Sequence, residues 1–151
     1  MPVKSKKVLI VHGPNLNLLG RPETAAFGQK SLAQINQELE QLAASLGVEV
    51  KIVQSNHEGV IIDEIQQAEK DCGCIVINPG GFTHYSIAVR EALAAVVIPS
   101  IEVHLSNIFK GKEEYMRNLV TAPAVHGLII GFGADSYLHA LEAAAKIINK
   151  P

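Results

Sequence analysis

The stretch KVLIVHGPNLNLLG, residues 7–20, joins an apolar run to a polar, turn-forming segment. Its first half is nearly continuous in β-branched and aliphatic residues, which is typical of a strand buried on both faces of a parallel sheet. Its second half is rich in Gly, Pro and Asn and continues as RPETAAFG to residue 28. Such a segment can bend over the end of the strand and present amide donors there. The stretch therefore predicts an α/β domain with a functional loop after its first strand.

Length and composition describe an ordinary globular domain. The chain has 151 residues, of which 48% are hydrophobic and 19% charged, so we expect one domain over residues 1–151 with a single sizeable core. A net charge of −2 gives no electrostatic reason to expect a nucleic acid or an anionic membrane as partner. No apolar run approaches the roughly 20 residues that span a bilayer. We therefore expect a cytoplasmic protein.

The cysteines and histidines do not form a metal-binding pattern. Cys72 and Cys74 stand in DCGC, and no second cysteine pair completes a zinc site. The six histidines are scattered, without an i,i+4 pair on a helix. We expect two packed, reduced thiols and no metal.

Apolar runs alternate with amphipathic stretches along the whole chain. Because strands separated by helices form right-handed crossovers, this alternation predicts a parallel sheet. We expect a flavodoxin-like three-layer sandwich with five strands in the order 2-1-3-4-5. The predicted strands span residues 7–13, 48–54, 74–81, 97–104 and 126–133. The first predicted helix runs from 31 to 46, and the second follows SNHEG and ends at about residue 70. The third runs from 86 to 95, and the fourth from 135 or 136 to 148.

The carboxyl ends of the strands should form the site, since ligands of open parallel sheets bind there near the switch in strand order. Strands 1, 3 and 4 are neighbours in the expected order, so Asn15, Arg21, Asn78, His84 and His104 should converge. This set offers a cation, amides and two imidazoles. It suits a polar, anionic small molecule and acid–base chemistry.

His104 is the histidine that most favours a functional interpretation. Glu102 lies two residues earlier in the same strand, and residues i and i+2 face the same side. The carboxylate can therefore orient the imidazole and favour its charged form, which makes a general acid. His84 follows a glycine pair, and its position fits structure and function equally. We expect His12 and His126 to pack in the core or at its rim, and His57 and His139 to be solvated.

A nucleotide or flavin site is a weaker hypothesis. NPGGFTH matches neither G-x-G-x-x-G nor G-x-x-x-x-G-K-[ST], and GFGADS lacks a third glycine. Backbone turns that need a positive φ explain these glycines better.

Five segments resemble the type II 3-dehydroquinate dehydratases in order and spacing: LIVHGPNLNLLG, QSNHEG, NPGGFTHYS, IPSIEVHLSN, and GLIIGFG followed by SY. The similarity runs from about Val8 to Ile148. It implies a flavodoxin-like fold, a dodecamer built from trimers and no cofactor. It also implies the reversible dehydration of 3-dehydroquinate to 3-dehydroshikimate.

The resemblance also implies roles for individual residues. The family removes a proton next to the ketone with a tyrosinate whose pKa is lowered by an arginine. Asn15 would hold a water against the resulting enolate, and His104, oriented by Glu102, would protonate the departing hydroxyl. The positions that hold the carboxylate and hydroxyls of the substrate correspond to Asn78, His84, Leu105 and Ser106.

The chain departs from the family pattern at the base. The family loop usually reads Arg-Glu-Pro-x-x-Tyr-Gly, whereas this chain places Phe27 at the tyrosine position, Arg21 one residue early and Pro22 in the arginine position. A phenyl ring cannot accept a proton. Either the chain is a base-deficient variant, or Tyr85 or Tyr115 acts as base, or the protein is a non-catalytic homologue that binds a cyclic polyol carboxylate.

Two further departures concern substrate and subunit contacts. KGKEEYMRN carries an inserted residue, which puts Met116 in the position of the family's substrate-clamping arginine and Arg117 one residue later. Glu91 replaces the usual aspartate that reaches a neighbouring subunit.

Overall fold

The computed structural model describes residues 5–151. Its five strands are all parallel and form one sheet in the order β2-β1-β3-β4-β5. This order confirms the flavodoxin-like arrangement predicted from the sequence. The strands are β1 (Lys7–His12), β2 (Glu49–Gln54), β3 (Cys74–Asn78), β4 (Ser100–His104) and β5 (Gly127–Ile130).

Three helices connect successive strands, namely α1 (Leu32–Leu46), α2 (Glu58–Asp71) and α3 (Ile87–Ala95), and α4 (Asp135–Asn149) follows β5. The segment between β4 and β5 contains only short 3₁₀ turns. The start of α1 is fixed by a capping box, because Ser31 accepts from the backbone of Gln34 while the Gln34 side chain accepts from the backbone of Ser31. Among residues 5–151, no helix is both long enough and apolar enough to cross a membrane.

Side-chain alternation along the strands divides the core into two halves. Val8 and Ile10 of β1 pack with α1 and α4 on one face of the sheet. Leu9 and Val11 pack with α2 and α3 on the other face. Successive strand residues point to opposite faces, and both faces of β1 are covered, so the strand is apolar from Val8 to Val11.

All five strands are shorter than the predicted ranges, β1 and β2 by one residue and the other three by three or four residues. The run that contains β3 stops being a strand after Asn78, because Gly80 takes φ 58° and begins a 3₁₀ turn, Gly80–His84. The run that contains β5 ends as a strand at Ile130, and Gly131 follows with φ 99°. The run at 97–104 becomes extended only at Ser100, and Val97 is 88% exposed.

Both cysteines are buried and unpaired, as predicted. Burial raises the pKa of the Cys72 and Cys74 thiols to about 12. They therefore remain neutral packing groups.

Candidate active site

A cavity of about 350 Å³ lies beyond the carboxyl ends of β1, β3 and β4. The loops that follow these three strands form its walls, as the switch in strand order predicts. A second cavity, of about 250 Å³, lies at the other end of β4 and is lined mainly by apolar residues and His126. The chemically useful side chains face the first cavity. Its polar and aromatic lining residues include Asn15, Thr24, Phe27, Asn78, His84, His104, Ser106, Asn107 and Tyr115.

Most of the site residues predicted from the sequence meet at this cavity. Those on its wall are Asn15, Phe27, Asn78, His84, His104, Leu105 and Ser106. Five candidates lie outside the lining: Glu102, which is buried behind His104, and the exposed Arg21, Tyr85, Glu91 and Arg117. The inserted residue leaves Met116 and Arg117 as candidates for the position of the family's substrate-clamping arginine. Met116 lines the cavity and Arg117 does not. Tyr115 is therefore the tyrosine at the site.

His104 and Glu102 form a buried pair at the end of β4. The imidazole Nε2 donates to Glu102 Oε2 at 2.7 Å, and both side chains are almost completely excluded from solvent. Within residues 5–151, His104 Nδ1 has no protein hydrogen-bond partner. Because His104 lines the cavity, its ring can carry a proton on Nδ1 there while Glu102 stabilises the charge.

Two threonines complete the hydrogen bonding of the Glu102 carboxylate. Thr83 donates to Oε2 at 2.9 Å, and Thr121 donates to Oε1 at 2.5 Å. A carboxylate that accepts from an imidazole and two hydroxyls is held in one orientation, so it in turn fixes His104. No sequence pattern points to Thr121, which lies in an irregular segment and meets Glu102 only through the fold.

A group of polar side chains that the sequence did not predict lies behind Asn78. Asn78 Oδ1 accepts from the backbone of Gly80 at 3.1 Å, and the Tyr137 hydroxyl lies near the Asn78 amide. Tyr137 Oη lies 2.7 Å from His12 Nδ1, and His12 Nε2 lies 2.8 Å from Asn36 Oδ1. Since an amide oxygen only accepts, Nε2 carries the hydrogen of a neutral His12. The bond from the Gly80 N–H therefore orients the Asn78 amide at the cavity.

His12 makes the free energy of unfolding depend on pH. Burial lowers the pKa of His12 from 6.5 to about 4. The unfolded chain therefore binds this proton at a higher pH than the folded chain, and stability falls as pH drops from 6.5 towards 4. The loss attributable to this residue is about 3 kcal/mol.

The measurement is urea unfolding between pH 7 and pH 4 of the natural chain and of His12→Asn. We expect a flatter pH dependence in the variant, because an amide does not titrate here. His139→Asn is the matched control, since His139 is exposed on α4. Equal pH slopes in the natural chain and His12→Asn would contradict the prediction.

The loop after β1 forms one wall of the cavity. Asn15 has φ 69° and ψ −4°, a left-handed conformation that asparagine tolerates better than most residues, and its backbone N–H donates to Asn56 Oδ1 at 2.9 Å. Phe27 ends the 3₁₀ segment Pro22–Phe27 and is 42% exposed. The aromatic ring therefore lines the cavity without contributing a polar atom.

The lining contains no Lys, Arg, Asp or Glu among residues 5–151. Arg21 is exposed, and Arg117 donates instead to the backbone oxygen of Gly111 at 2.6 Å. His84, His104 and Tyr115 are thus the titratable side chains on this wall. These three groups are therefore the candidates for proton transfer among the residues that line the cavity.

Fold and site together define a class of flavodoxin-like proteins with a small-molecule cavity equipped for proton transfer by histidine. The comparison with family models is specific: Dehydroquinase class II matches residues 6–145. The chain belongs to this family.

Individual relatives agree over nearly their full lengths. The chain is 54% identical to the 3-dehydroquinate dehydratase of Halothermothrix orenii, covering 95% of this chain and 97% of the relative. It is 48% identical to that of Pelotomaculum thermopropionicum, with 93% and 97% covered. The type II dehydroquinase structure from Butyrivibrio crossotus has a TM-score of 0.88 at 42% identity, with 93% and 97% covered. That from Propionibacterium acnes has 0.89 at 36%, with 96% and 99% covered.

Proposed function

We propose that this chain is a 3-dehydroquinate dehydratase, a hydro-lyase that converts 3-dehydroquinate reversibly to 3-dehydroshikimate. The observation that carries the proposal is the buried Glu102–His104 pair at the cavity of a Dehydroquinase class II chain. Relatives that are 54% and 48% identical to this chain are named 3-dehydroquinate dehydratase. The reaction belongs to the shikimate or quinate pathway.

His104 is the general acid of the proposed reaction. Hydroxide is a poor leaving group, so the C–O bond breaks readily only if a proton reaches the oxygen as it departs. The imidazolium can donate that proton from Nδ1, because Nε2 is already committed to Glu102 at 2.7 Å. The buried carboxylate orients the ring for the step and lies 2.7 Å from the nitrogen opposite the one that donates.

Amide donors on the opposite wall stabilise the enolate and hold the substrate. Loss of a proton next to the ketone places negative charge on the ketone oxygen, and a fixed donor aimed at that charge lowers the barrier. We assign this role to Asn15, acting through a water. Asn78, Leu105 and Ser106 hold the carboxylate and hydroxyls, and Asn78 is suited to this role because the Gly80 N–H orients its amide.

Phe27 occupies the position at which the family carries its tyrosine base. Restoring the hydroxyl therefore belongs in the test. Purified natural chain and Phe27→Tyr are mixed with 3-dehydroquinate, and the conjugated enone of 3-dehydroshikimate is followed by its ultraviolet absorbance. We expect turnover by the natural chain.

The second candidate function is a non-catalytic homologue that binds 3-dehydroquinate or a related cyclic polyol carboxylate, and the absence of a phenol at Phe27 is its specific support. No turnover by either chain, with 3-dehydroquinate still bound in calorimetry, would establish it. Turnover by Phe27→Tyr alone would identify the natural chain as base-deficient.

We also propose a cytoplasmic homo-oligomer, a dodecamer built from trimers, with no cofactor. Large apolar side chains on the surface of the single chain support an assembly, among them Ile87 at the start of α3, and Val97. Glu91 is exposed on α3, where it is available to a neighbouring subunit. Light scattering on the purified chain measures the number of copies.

A further inference from the structure

We propose that His84 is the general base of this chain. It would perform the proton abstraction that the family's tyrosine performs at the position held here by Phe27. The inference rests on the proposed dehydratase activity and names the group that performs its first step. Among residues 5–151, the titratable side chains on the cavity wall are His84, His104 and Tyr115.

His104 is committed to the opposite role. Its Nε2 donates to the Glu102 carboxylate, which stabilises the charged, proton-donating form of the ring. A group in that form has no lone pair for a substrate proton. The base must therefore be one of the other two side chains.

Tyr115 lacks what a phenol needs to become a base. A tyrosine accepts a proton only after it has lost its own, and a neighbouring cation is what favours the phenolate. No Lys or Arg lines the cavity within residues 5–151, and the nearby Arg117 guanidinium donates to the Gly111 carbonyl. Tyr115 instead packs its ring against His84, with centroids 5.3 Å apart and an interplanar angle of 81°.

His84 has the hydrogen bonding of a positioned base. Its Nδ1 lies 3.0 Å from the carbonyl oxygen of Asn118. A carbonyl oxygen can only accept, so Nδ1 carries the hydrogen and the neutral ring has its lone pair on Nε2. Within residues 5–151, Nε2 has no protein hydrogen-bond partner. The lone pair is therefore free for a proton from a molecule in the cavity.

The surrounding fold holds the His84 ring in place. The Asn118 side chain donates back to the His84 backbone oxygen at 3.5 Å, and Val120 donates to the Thr83 oxygen at 2.7 Å. These bonds tie the segment after the insertion to the 3₁₀ turn that carries His84. Tyr115 then packs against the ring as a support. An oriented base needs this kind of restraint.

Two imidazoles are sufficient for both proton transfers of the reaction. His84 Nε2 takes the proton from the carbon between the ketone and the hydroxyl-bearing carbon, and the C–H electron pair becomes the enolate. The enolate then forms the C=C bond, the C–O bond breaks, and the departing oxygen takes the proton of His104 to leave as water. His84 ends protonated and His104 neutral, and solvent returns one proton from the first to the second.

The test separates proton abstraction from dehydration. In D₂O, nuclear magnetic resonance follows exchange of the substrate proton next to the ketone, and ultraviolet absorbance follows the enone. His84→Asn keeps an N–H donor near the Asn118 carbonyl but has no basic lone pair. We expect it to lose exchange and dehydration by about 10²–10⁴-fold. Tyr115→Phe, the matched control, should lose less than about tenfold.

Further variants of this chain distinguish the possible outcomes. His104→Ala should keep exchange while it loses dehydration, because the proton is removed before the hydroxyl departs. Added imidazole should restore part of the exchange in His84→Ala; no response in a folded chain that binds 3-dehydroquinate would make His84 a substrate-holding residue and overturn the proposal. Loss of exchange in Tyr115→Phe but not in His84→Asn would assign the base to the phenol.

Failure of the proposed function has a different signature. A natural chain that neither exchanges nor dehydrates 3-dehydroquinate would overturn both the dehydratase activity and the base. A natural chain with full turnover, and equal turnover in His84→Asn, would leave the dehydratase intact and overturn the base alone.

Discussion

Replacing His104 with alanine is expected to lower kcat for dehydration by about 10²–10⁴-fold, the usual contribution of a positioned general acid. The expected cause is loss of the proton that converts departing hydroxide into water. KM should change much less, because Asn78, Leu105 and Ser106 remain to hold the substrate. Enone absorbance under saturating 3-dehydroquinate measures both constants.

The control for His104→Ala is the retained proton exchange, together with binding of 3-dehydroquinate measured by calorimetry. Removing the ring also leaves the buried Glu102 without its imidazole partner, so thermal unfolding must show that the variant is folded at the assay temperature. A folded variant that keeps more than about a tenth of the natural kcat would remove His104 from the role of acid.

Replacing Glu102 with alanine is expected to reduce both stability and activity. The carboxylate is fully buried and accepts from His104, Thr83 and Thr121. Removing one partner of a buried, hydrogen-bonded pair costs about 3–5 kcal/mol. For a chain of this size we expect the melting temperature to fall by about 10 °C. Thermal unfolding followed by circular dichroism measures the change.

Glu102→Gln separates the charge of Glu102 from its volume. The amide fills the same space but cannot stabilise an imidazolium as a carboxylate does. We expect a smaller loss of stability than in Glu102→Ala and a loss of kcat that remains large. Natural kcat in a folded Glu102→Gln chain would show that the carboxylate serves packing rather than His104.

The Glu102–His104 pair shows what a short pattern can predict. Strand residues two apart face the same side, and the carboxyl ends of parallel strands meet at one edge, so both the pairing and its place follow from local geometry. The same local argument predicted that His12 would pack in the core. It could not predict the hydrogen bonds from His12 to Tyr137 and Asn36, because those residues lie on two different helices.

The arginines show where local reasoning fails. Arg117 directly follows Met116 and Arg21 lies two residues after Leu19, and although Met116 and Leu19 line the cavity, neither arginine does. In an irregular loop, one inserted residue changes which side chain turns inward, and no regular period fixes the direction. The structure therefore places Met116, and not Arg117, on the cavity wall.

By itself, the sequence determined the alternating strands and helices, the strand order and the edge of the sheet that carries the site. These features depend on hydrophobic period and chain connectivity, which a single stretch such as KVLIVHGPNLNLLG already displays. Only the tertiary structure decided that Thr121 holds Glu102 and that Asn118 fixes the tautomer of His84. Those contacts join residues far apart in the chain, and a hydrogen bond depends on distances and directions that packing alone supplies.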